Sequence, residues 1–155
     1  MVHVESLQKY ALFGGLLPEE IESVRPHLAV MDLAAGDYVI REGEPNGRIH
    51  FILEGRVQVT RRGRELISFG EGDTFGEVEV MDVMPAVASI HAIGPTRLAV
   101  LSNRDLHELS KSEPRVFAML MMNLARELAR RLRRMDEMFC DQGSEPPDDM
   151  GCPPA

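Results

Sequence analysis

The chain has 155 residues, a length typical of one domain, and its 44% hydrophobic and 27% charged residues are the mix of a globular protein rather than a disordered one. Its formal net charge of −8 argues against a broad basic surface for nucleic acid, because phosphate binding requires clustered cations. No stretch approaches the roughly 20 apolar residues that a membrane-spanning helix needs, and the N-terminus lacks a signal-peptide pattern. We therefore expect no membrane span and a cytoplasmic location.

Residues 1–27 are predicted to form an N-terminal helical segment. The glycine pair at 14–15 should divide it into two short helices. Pro18 suits the start of the second helix because a first-turn N–H has no partner within the helix, and Glu19 and Glu20 suit its positive end.

Residues 28–101 show short runs of β-branched and aromatic residues separated by turn residues, a pattern typical of an antiparallel all-β unit. The predicted strands include residues 38–40, 49–53, 57–60 and 65–67. Turn glycines at such regular intervals indicate a sandwich or a barrel.

Residues 102–140 are predicted to be helical. A first helix covers about 104–109, and a long helix covers about 115–139. We expect Ser112 to cap the long helix, with Pro114 in its opening turn.

The last segment, residues 141–155, is acidic and rich in proline, and we predict that it is a disordered tail. The two cysteines, Cys140 and Cys152, both lie near this end of the sequence. Neither a disulfide framework nor a cysteine zinc site is therefore expected in the core, which has to be held together by packing.

The most informative stretch of sequence is residues 75–90. It reads Phe-Gly-Glu, then eight residues ending in proline, and closes on Ala-Ser-Ile. The matching positions are Phe75, Gly76, Glu77, Pro85, Ala88, Ser89 and Ile90. This stretch resembles the phosphate-binding cassette of cyclic-nucleotide-binding domains, which occur in catabolite-activator-type regulators, kinase regulatory subunits and gated channels.

Glycines and aliphatic residues upstream of the cassette also fit that family, and the resemblance covers about residues 12–139. These upstream positions are Gly36, Ile40, Gly43, Ile52, Gly55 and Val57. The resemblance implies a mainly β fold with flanking helices: a double-stranded β-helix, or jelly-roll-like barrel, with N-terminal helices and a long C-terminal dimer helix.

The cassette residues suggest how a ligand would be held. Gly76 lets the backbone approach a ligand, and a short helix beginning near Glu77 would direct free N–H groups at an anion. In the family this glutamate binds a sugar hydroxyl, while Ser89 and the backbone of Val87 and Ala88 would line the phosphate edge. The candidate ligand-binding positions are Phe75, Gly76, Glu77, Val78, Ala86, Val87, Ala88 and Ser89. The implied ligand is cyclic AMP, cyclic GMP or another small molecule, and the sequence indicates no certain cofactor.

The cassette departs from the family where binding energy matters most. Ala86 stands where the family has the arginine that clamps the cyclic phosphate. Charged hydrogen bonds of that kind contribute about 1.5–3 kcal/mol each, so the loss should weaken binding by a few orders of magnitude. Glu79 and Asp82 add negative charge near the expected phosphate, and Val83 replaces the usual loop glycine. Two interpretations stay open: a structural pocket that has lost its ligand, or a pocket adapted to another ligand.

The long helix carries an apolar stripe at intervals of three and four residues, with arginines on the opposite side. The stripe consists of Phe117, Met121, Leu124, Leu128, Leu132, Met135 and Phe139, and the arginines are Arg126, Arg130, Arg133 and Arg134. This basic side is interpreted as a solvated surface, with an acidic partner, nucleic acid or a membrane face as alternatives.

In the family this helix forms the dimer and reaches over the ligand, so the resemblance implies a homodimer through residues 115–139. Leu124, Leu128 and Arg131 are candidates for pocket or dimer contacts. Arg131 lies at the edge of the apolar stripe. It is expected either to pair with an acid such as Glu127 across a dimer or to reach toward the pocket.

Enzymatic and DNA-binding functions are less well supported by the sequence. The five histidines show no metal-ligand spacing, so we expect no catalytic or metal-binding residues; the nearest enzymatic alternative is a cupin-type metal enzyme using His50 and His91. A transcription factor of this family needs a helix-turn-helix domain after the long helix, so no direct DNA binding is expected. We interpret the chain as a non-catalytic sensor module acting on an unknown protein partner, with a ligand-free dimeric scaffold as the alternative.

Overall fold

The computed structural model describes residues 3–141. Two short helices come first: α1 is Val4–Gln8 and α2 is Pro18–Val24, with single 3₁₀ turns at Ala11–Phe13 and Arg25–His27. The side chain of Glu20 accepts a hydrogen bond from the Leu17 N–H at 3.0 Å, which satisfies one of the free donors at the start of α2. The predicted N-terminal helices and the opening proline of the second are confirmed.

Within the described residues, eight strands follow and form two four-stranded antiparallel sheets. The strands are β1 Ala29–Leu33, β2 Tyr38–Ile40, β3 Arg48–Glu54, β4 Val57–Arg61, β5 Arg64–Phe69, β6 Thr74–Phe75, β7 Ser89–Ala92 and β8 Thr96–Ser102. One sheet has the order β1-β8-β3-β6 and the other β2-β7-β4-β5. A short helix, α3 (Glu77–Asp82), connects β6 to β7. This is the predicted jelly-roll-like barrel with helices at both ends.

The two central strands of the first sheet, β8 and β3, are largely buried on both faces because their side chains alternate between two cores. One core lies between the sheets and contains Ile40, Ile52, Val57, Val59, Phe75, Ala86, Ile90, Leu98 and Val100. On the other face, Ile49, Phe51, Ala99 and Leu101 pack against the N-terminal and C-terminal helices. The helices are thereby fixed to the barrel.

Two helices complete the described part of the chain: α4 is Asn103–Ser112 and α5 is Pro114–Asp141. The prediction that Ser112 caps the long helix is wrong. Ser112 is the last residue of α4, where its hydroxyl donates to the Glu108 carbonyl at 3.0 Å, and α5 begins at Pro114, so Glu113 and not Ser112 precedes the long helix. The predicted helix at 104–109 is also longer than expected, because Ser102 caps it by accepting from the Asp105 N–H at 3.1 Å.

Helix α5 is joined to the N-terminal segment by a buried side-chain amide. Asn123 donates to the carbonyls of Leu12 and Gly14 at 2.8 and 2.9 Å. Beyond Asp141, the predicted tail lies outside the described residues. None of the helices within residues 3–141 combines the length and the apolar character needed to cross a membrane.

Candidate ligand-binding site

The turn from β6 into α3 requires glycine. Gly76 has φ +83°, a left-handed conformation that side chains rarely adopt. A Cβ at this position would lie 2.7 Å from the Arg48 carbonyl oxygen and 2.8 Å from the Asn46 amide nitrogen. Asn46 donates to both the Arg48 and the Gly76 carbonyls, at 2.9 and 3.0 Å, and so holds the start of α3 against β3.

Glu77, the first residue of α3, has its carboxylate in the interior. The residue is 2% exposed, and its Oε1 accepts from Arg131 Nη1 at 2.6 Å. Its other oxygen, Oε2, is buried and has no hydrogen-bond partner among residues 3–141. Burial raises the pKa of this carboxyl above its ordinary value, Glu79 adds to the rise, and the Arg131 guanidinium opposes it. One carboxylate oxygen of Glu77 is thus paired with Arg131, and the other can still accept a hydrogen bond.

Arg131 of α5 connects four elements of the structure. Besides Glu77, its guanidinium donates to the Thr74 carbonyl and lies over the Phe69 ring, 4.5 Å from the centroid. Its Nε is 3.4 Å from the Glu127 carboxylate on the same helix. Of the two placements that the sequence left open, the described chain has Arg131 directed at the cassette of its own subunit.

The barrel-facing side of α5 differs from the predicted apolar stripe. The buried residues of α5 are Val116, Leu120, Asn123 and Leu124. Continuing that face by three and seven residues from Leu124 leads to Glu127 and Arg131, which explains why a charged residue faces the barrel. Leu124 is part of the subunit core, Leu128 is half-buried, and Leu132 and Phe139 are exposed.

The closing end of the cassette runs beside the chain that follows β2. Ala86 is 3% exposed and belongs to the core between the sheets. Its N–H donates to the Glu44 carbonyl at 2.9 Å, and its carbonyl accepts from the Gly43 N–H at 2.8 Å. Ser89 Oγ accepts from the Glu42 N–H at 2.9 Å. The backbone therefore keeps a fixed path at the position where the arginine is missing.

The predicted ligand-binding residues do not all face one place. Phe75 and Ala86 share the core between the sheets, with Ala88 packed against it. Val78 and Val87 are exposed. The structure thus brings both ends of the cassette to the same core but directs these two valines outward.

The loop residue Val83 keeps a backbone conformation suited to glycine. Its φ of +57° and ψ of +31° lie in the left-handed region, which is unfavourable for a β-branched residue. The Asp82 carboxylate accepts from the Met84 N–H at 3.0 Å and supports this turn. The replacement of glycine by Val83 therefore changed the side chain without removing the turn.

Sequence analysis did not connect His50 to the cassette. His50 on β3 pairs with Phe75 on β6, and the two rings stack with centroids 4.8 Å apart. The pKa of His50 is lowered to about 4, mainly by burial; a hydrogen bond with the Phe75 backbone opposes this shift and the nearby Arg48 charge adds to it. Its Nδ1 is buried without a partner among residues 3–141. The sequence pattern predicted that His50 lies on a strand, but only the pairing of β3 with β6 shows that Phe75 is its neighbour.

The ligand cluster that a cupin-type metal site would need is not found within residues 3–141. His50 stacks on Phe75, while His91 lies on β7 beside the Tyr38 ring. One group of potential metal ligands occurs in this part of the chain, and it contains neither His50 nor His91. It consists of His27, Asp105 and Glu108. His27 is far in sequence from Asp105 and Glu108, so spacing alone did not indicate this group.

Comparisons with known proteins agree with the fold and the cassette. A family profile described as a cyclic nucleotide-binding domain matches residues 30–113. A CRP-like cAMP-activated global transcriptional regulator of Mycobacterium tuberculosis is 32% identical over 142 residues, which cover 88% of this chain and 62% of the regulator. The chain therefore spans less than two thirds of that relative.

Solved structures give the same result. The catabolite activator protein of Thermus thermophilus superposes with a TM-score of 0.72 at 30% identity, over 83% of this chain and 61% of that one. A cyclic nucleotide-binding domain from Methylobacillus flagellatus superposes with a TM-score of 0.82 at 26% identity, over 93% of this chain and 84% of that one. With the jelly roll, the cassette and the profile match in agreement, the chain belongs to the cyclic nucleotide-binding domain family.

Proposed function

We propose that this chain is a cytoplasmic, non-catalytic sensor module that binds a cyclic nucleotide, or a related small ligand, with reduced affinity and acts through a protein partner. The observation that carries this proposal is the contact between Arg131 of α5 and Glu77 of the cassette. It connects the residue that binds a sugar hydroxyl in the family directly to the helix that forms the dimer there. A ligand that contacts Glu77 can therefore affect α5 through Arg131.

Reduced affinity follows from the side chains at the phosphate edge. Ala86 supplies no cation, and Glu79 is close enough to raise the pKa of Glu77. Without the clamp, binding loses hydrogen bonds that contribute about 1.5–3 kcal/mol each. The family's affinity for cyclic AMP or cyclic GMP is therefore lowered by orders of magnitude unless another cation takes part.

The response to a ligand begins at Glu77. A sugar hydroxyl that donates to Oε2 satisfies an acceptor that is unpaired among the described residues, and it lowers the charge density that Oε1 offers to Arg131. The pairing of Arg131 with Glu77 and with Glu127 then shifts in favour of Glu127. Ligand occupancy thus changes how firmly the middle of α5 is held to the barrel.

The far half of α5 supplies the surface for dimerisation. Leu132 and Phe139 are 62% and 57% exposed, and Met135 and Met138 between them are exposed as well. Exposed apolar side chains at intervals of three and four residues are the pattern by which two helices pack together. A second copy of the chain covers this stripe in the proposed homodimer.

Thermal unfolding with and without cyclic AMP or cyclic GMP tests the proposed function. A ligand at 100 times its dissociation constant stabilises the native state by about 2.7 kcal/mol, which raises the melting temperature measurably. The Arg131→Met variant should lose this response. The exposed Arg133→Met variant on the same helix is the control and should keep it. Millimolar nucleotide that leaves the melting temperature of the unmodified protein unchanged contradicts the proposal.

A ligand-free scaffold is the second candidate, and a specific observation favours it. Glu77 already has a cationic partner, and Ala86 is packed into the core, so the fold is complete without a ligand. In this case the module keeps its dimer and its partner, and no cyclic nucleotide stabilises it. The same melting experiment separates the two candidates.

A further inference from the structure

The β4–β5 hairpin ends in a tight, well-defined tip. Arg61 pairs with Arg64 across a two-residue turn formed by Arg62 and Gly63. Both turn residues have positive φ, +52° and +76°, as type I′ hairpin turns require. The tip therefore presents its arginines from a fixed backbone.

The strand register brings Arg61 to the closing end of the cassette. β4 pairs with β7 without a break, with Val59 opposite Ile90 and Thr60 opposite Ser89. The next position in this register places Arg61 beside Ala88, and side chains in such positions start about 4.5–5.5 Å apart. Ala86 lies two residues further along the same stretch.

Strand alternation directs Arg61 toward the ligand side of the sheet. Val57 and Val59 on β4 are buried between the sheets, and Arg61 shares their face because side chains repeat every second residue. On the cassette strand, Ile90 and the preceding Ala88 and Ala86 also belong to that core or pack against it. Arg61 thus extends the apolar face of β4 with a cation at the tip of the hairpin.

Hydrogen bonds hold the tip against the cassette. The Arg62 N–H donates to the Glu42 carboxylate at 3.1 Å, and the Glu42 N–H donates to Ser89 Oγ at 2.9 Å. The Glu42 carboxylate is therefore bound to the backbone of Arg62. Within residues 3–141, the exposed Arg61 side chain has no hydrogen-bond or ion-pair partner, so its charge is available.

We propose that Arg61 holds the cyclic phosphate in place of the arginine that is absent at Ala86. This inference rests on the proposed sensor function and names the residue that completes its site. A long side chain from the hairpin tip supplies the cation from the opposite strand, while Gly76 and Glu77 keep the family's arrangement at the other end. Arginine suits this role because its planar guanidinium binds phosphate oxygens through two hydrogen bonds.

Calorimetric titration with cyclic AMP tests this assignment in four proteins: the unmodified chain, Arg61→Gln, Ala86→Arg, and the double variant. Arg61→Gln should weaken binding by about tenfold or more, because losing even one of the two charged hydrogen bonds reduces affinity by about that factor. Ala86→Arg should restore the lost affinity in the double variant. Arg133→Gln, at an exposed arginine of α5 away from the hairpin, is the control and should change affinity by less than about threefold, as expected for a screened surface charge.

Adenosine separates a phosphate contact from a general disturbance of the pocket. Because it lacks the phosphate, its binding should be the same in the unmodified chain and in Arg61→Gln. If Arg61→Gln binds cyclic AMP as well as the unmodified chain does, the assignment of Arg61 is wrong while the sensor function stands. If only Ala86→Arg binds, Arg61 supplies no clamp. If no variant binds at millimolar nucleotide, the sensor function itself fails.

Discussion

Arg131 and Glu77 form an ion pair 2.6 Å long between the C-terminal helix and the first residue of the cassette helix. Both side chains are largely shielded from solvent, and they come from positions 54 residues apart in the sequence. Removing one partner of such a pair destabilises the fold, because the remaining charge stays in the interior without a partner. The pair therefore connects stability, ligand binding and the position of α5.

The ion pair should show strong coupling in stability measurements. Arg131→Met leaves the Glu77 carboxylate buried without its cation and should destabilise the fold by about 3 kcal/mol. The double variant Glu77→Gln/Arg131→Met removes both charges and should recover much of that loss. Urea unfolding of the two single variants and the double variant measures the coupling. Strictly additive effects would show that the two residues do not depend on each other.

Val83 offers a test of backbone strain in the cassette loop. Because its φ is +57° and its side chain is 83% exposed, Val83→Gly relieves strain without removing a packed group. We expect the free energy of unfolding to increase by about 1 kcal/mol. The control is Met84→Gly, at an exposed neighbour whose φ is not positive, which should be neutral or destabilising. Equal effects at both positions would exclude strain as the cause.

His50 should make stability fall in mild acid. Its pKa is about 4 in the folded chain against an ordinary value of 6.5, so between these pH values the unfolded chain binds a proton that the folded chain does not. Stability contributed by neutral His50 is therefore present above about pH 6.5 and is lost as the pH falls toward 4. Between pH 7 and pH 5 the loss should be about 2 kcal/mol. Urea unfolding of His50→Leu should show a pH dependence weaker by that amount, and an unchanged dependence would contradict this account.

The exposed stripe on α5 predicts a dimer that a single charge can disrupt. Leu132→Glu places a carboxylate within the apolar contact and should give monomers at micromolar concentration in sedimentation equilibrium. Arg133→Glu introduces the same charge at an exposed neighbour outside the stripe and should leave the dimer intact. If the unmodified protein is itself a monomer under these conditions, the proposed dimerisation through α5 is wrong.

The sequence predicted the architecture because the fold depends on local signals that a single chain carries. Turn glycines, short β-branched runs and the cassette spacing indicated the barrel, and Pro18 indicated the start of α2. The boundary at Ser112 could not be resolved in this way, since a serine near a helix start resembles a cap whether or not its hydroxyl is already bound to a previous turn.

The contacts within the site depended on information that periodicity does not contain. Helix α5 serves two surfaces, so apolar residues at helical spacing did not reveal that Leu120 and Leu124 face the barrel while Leu132 faces outward. The rotation of α5 about its own axis decides which of its charged side chains reaches Glu77. The stacking of His50 on Phe75 likewise depends on which strands pair.

The most direct test of the cyclic-nucleotide site is calorimetric titration of cyclic AMP into the combined Ala86→Arg/Glu79→Ala variant. The change supplies the missing cation and removes the nearby acid that raises the pKa of Glu77. If the rest of the cassette is a competent site, this variant should bind one nucleotide per chain at least about tenfold more tightly than the unmodified protein does. If the combined variant keeps its fold by circular dichroism and releases no binding heat at millimolar nucleotide, the pocket is not a cyclic-nucleotide site.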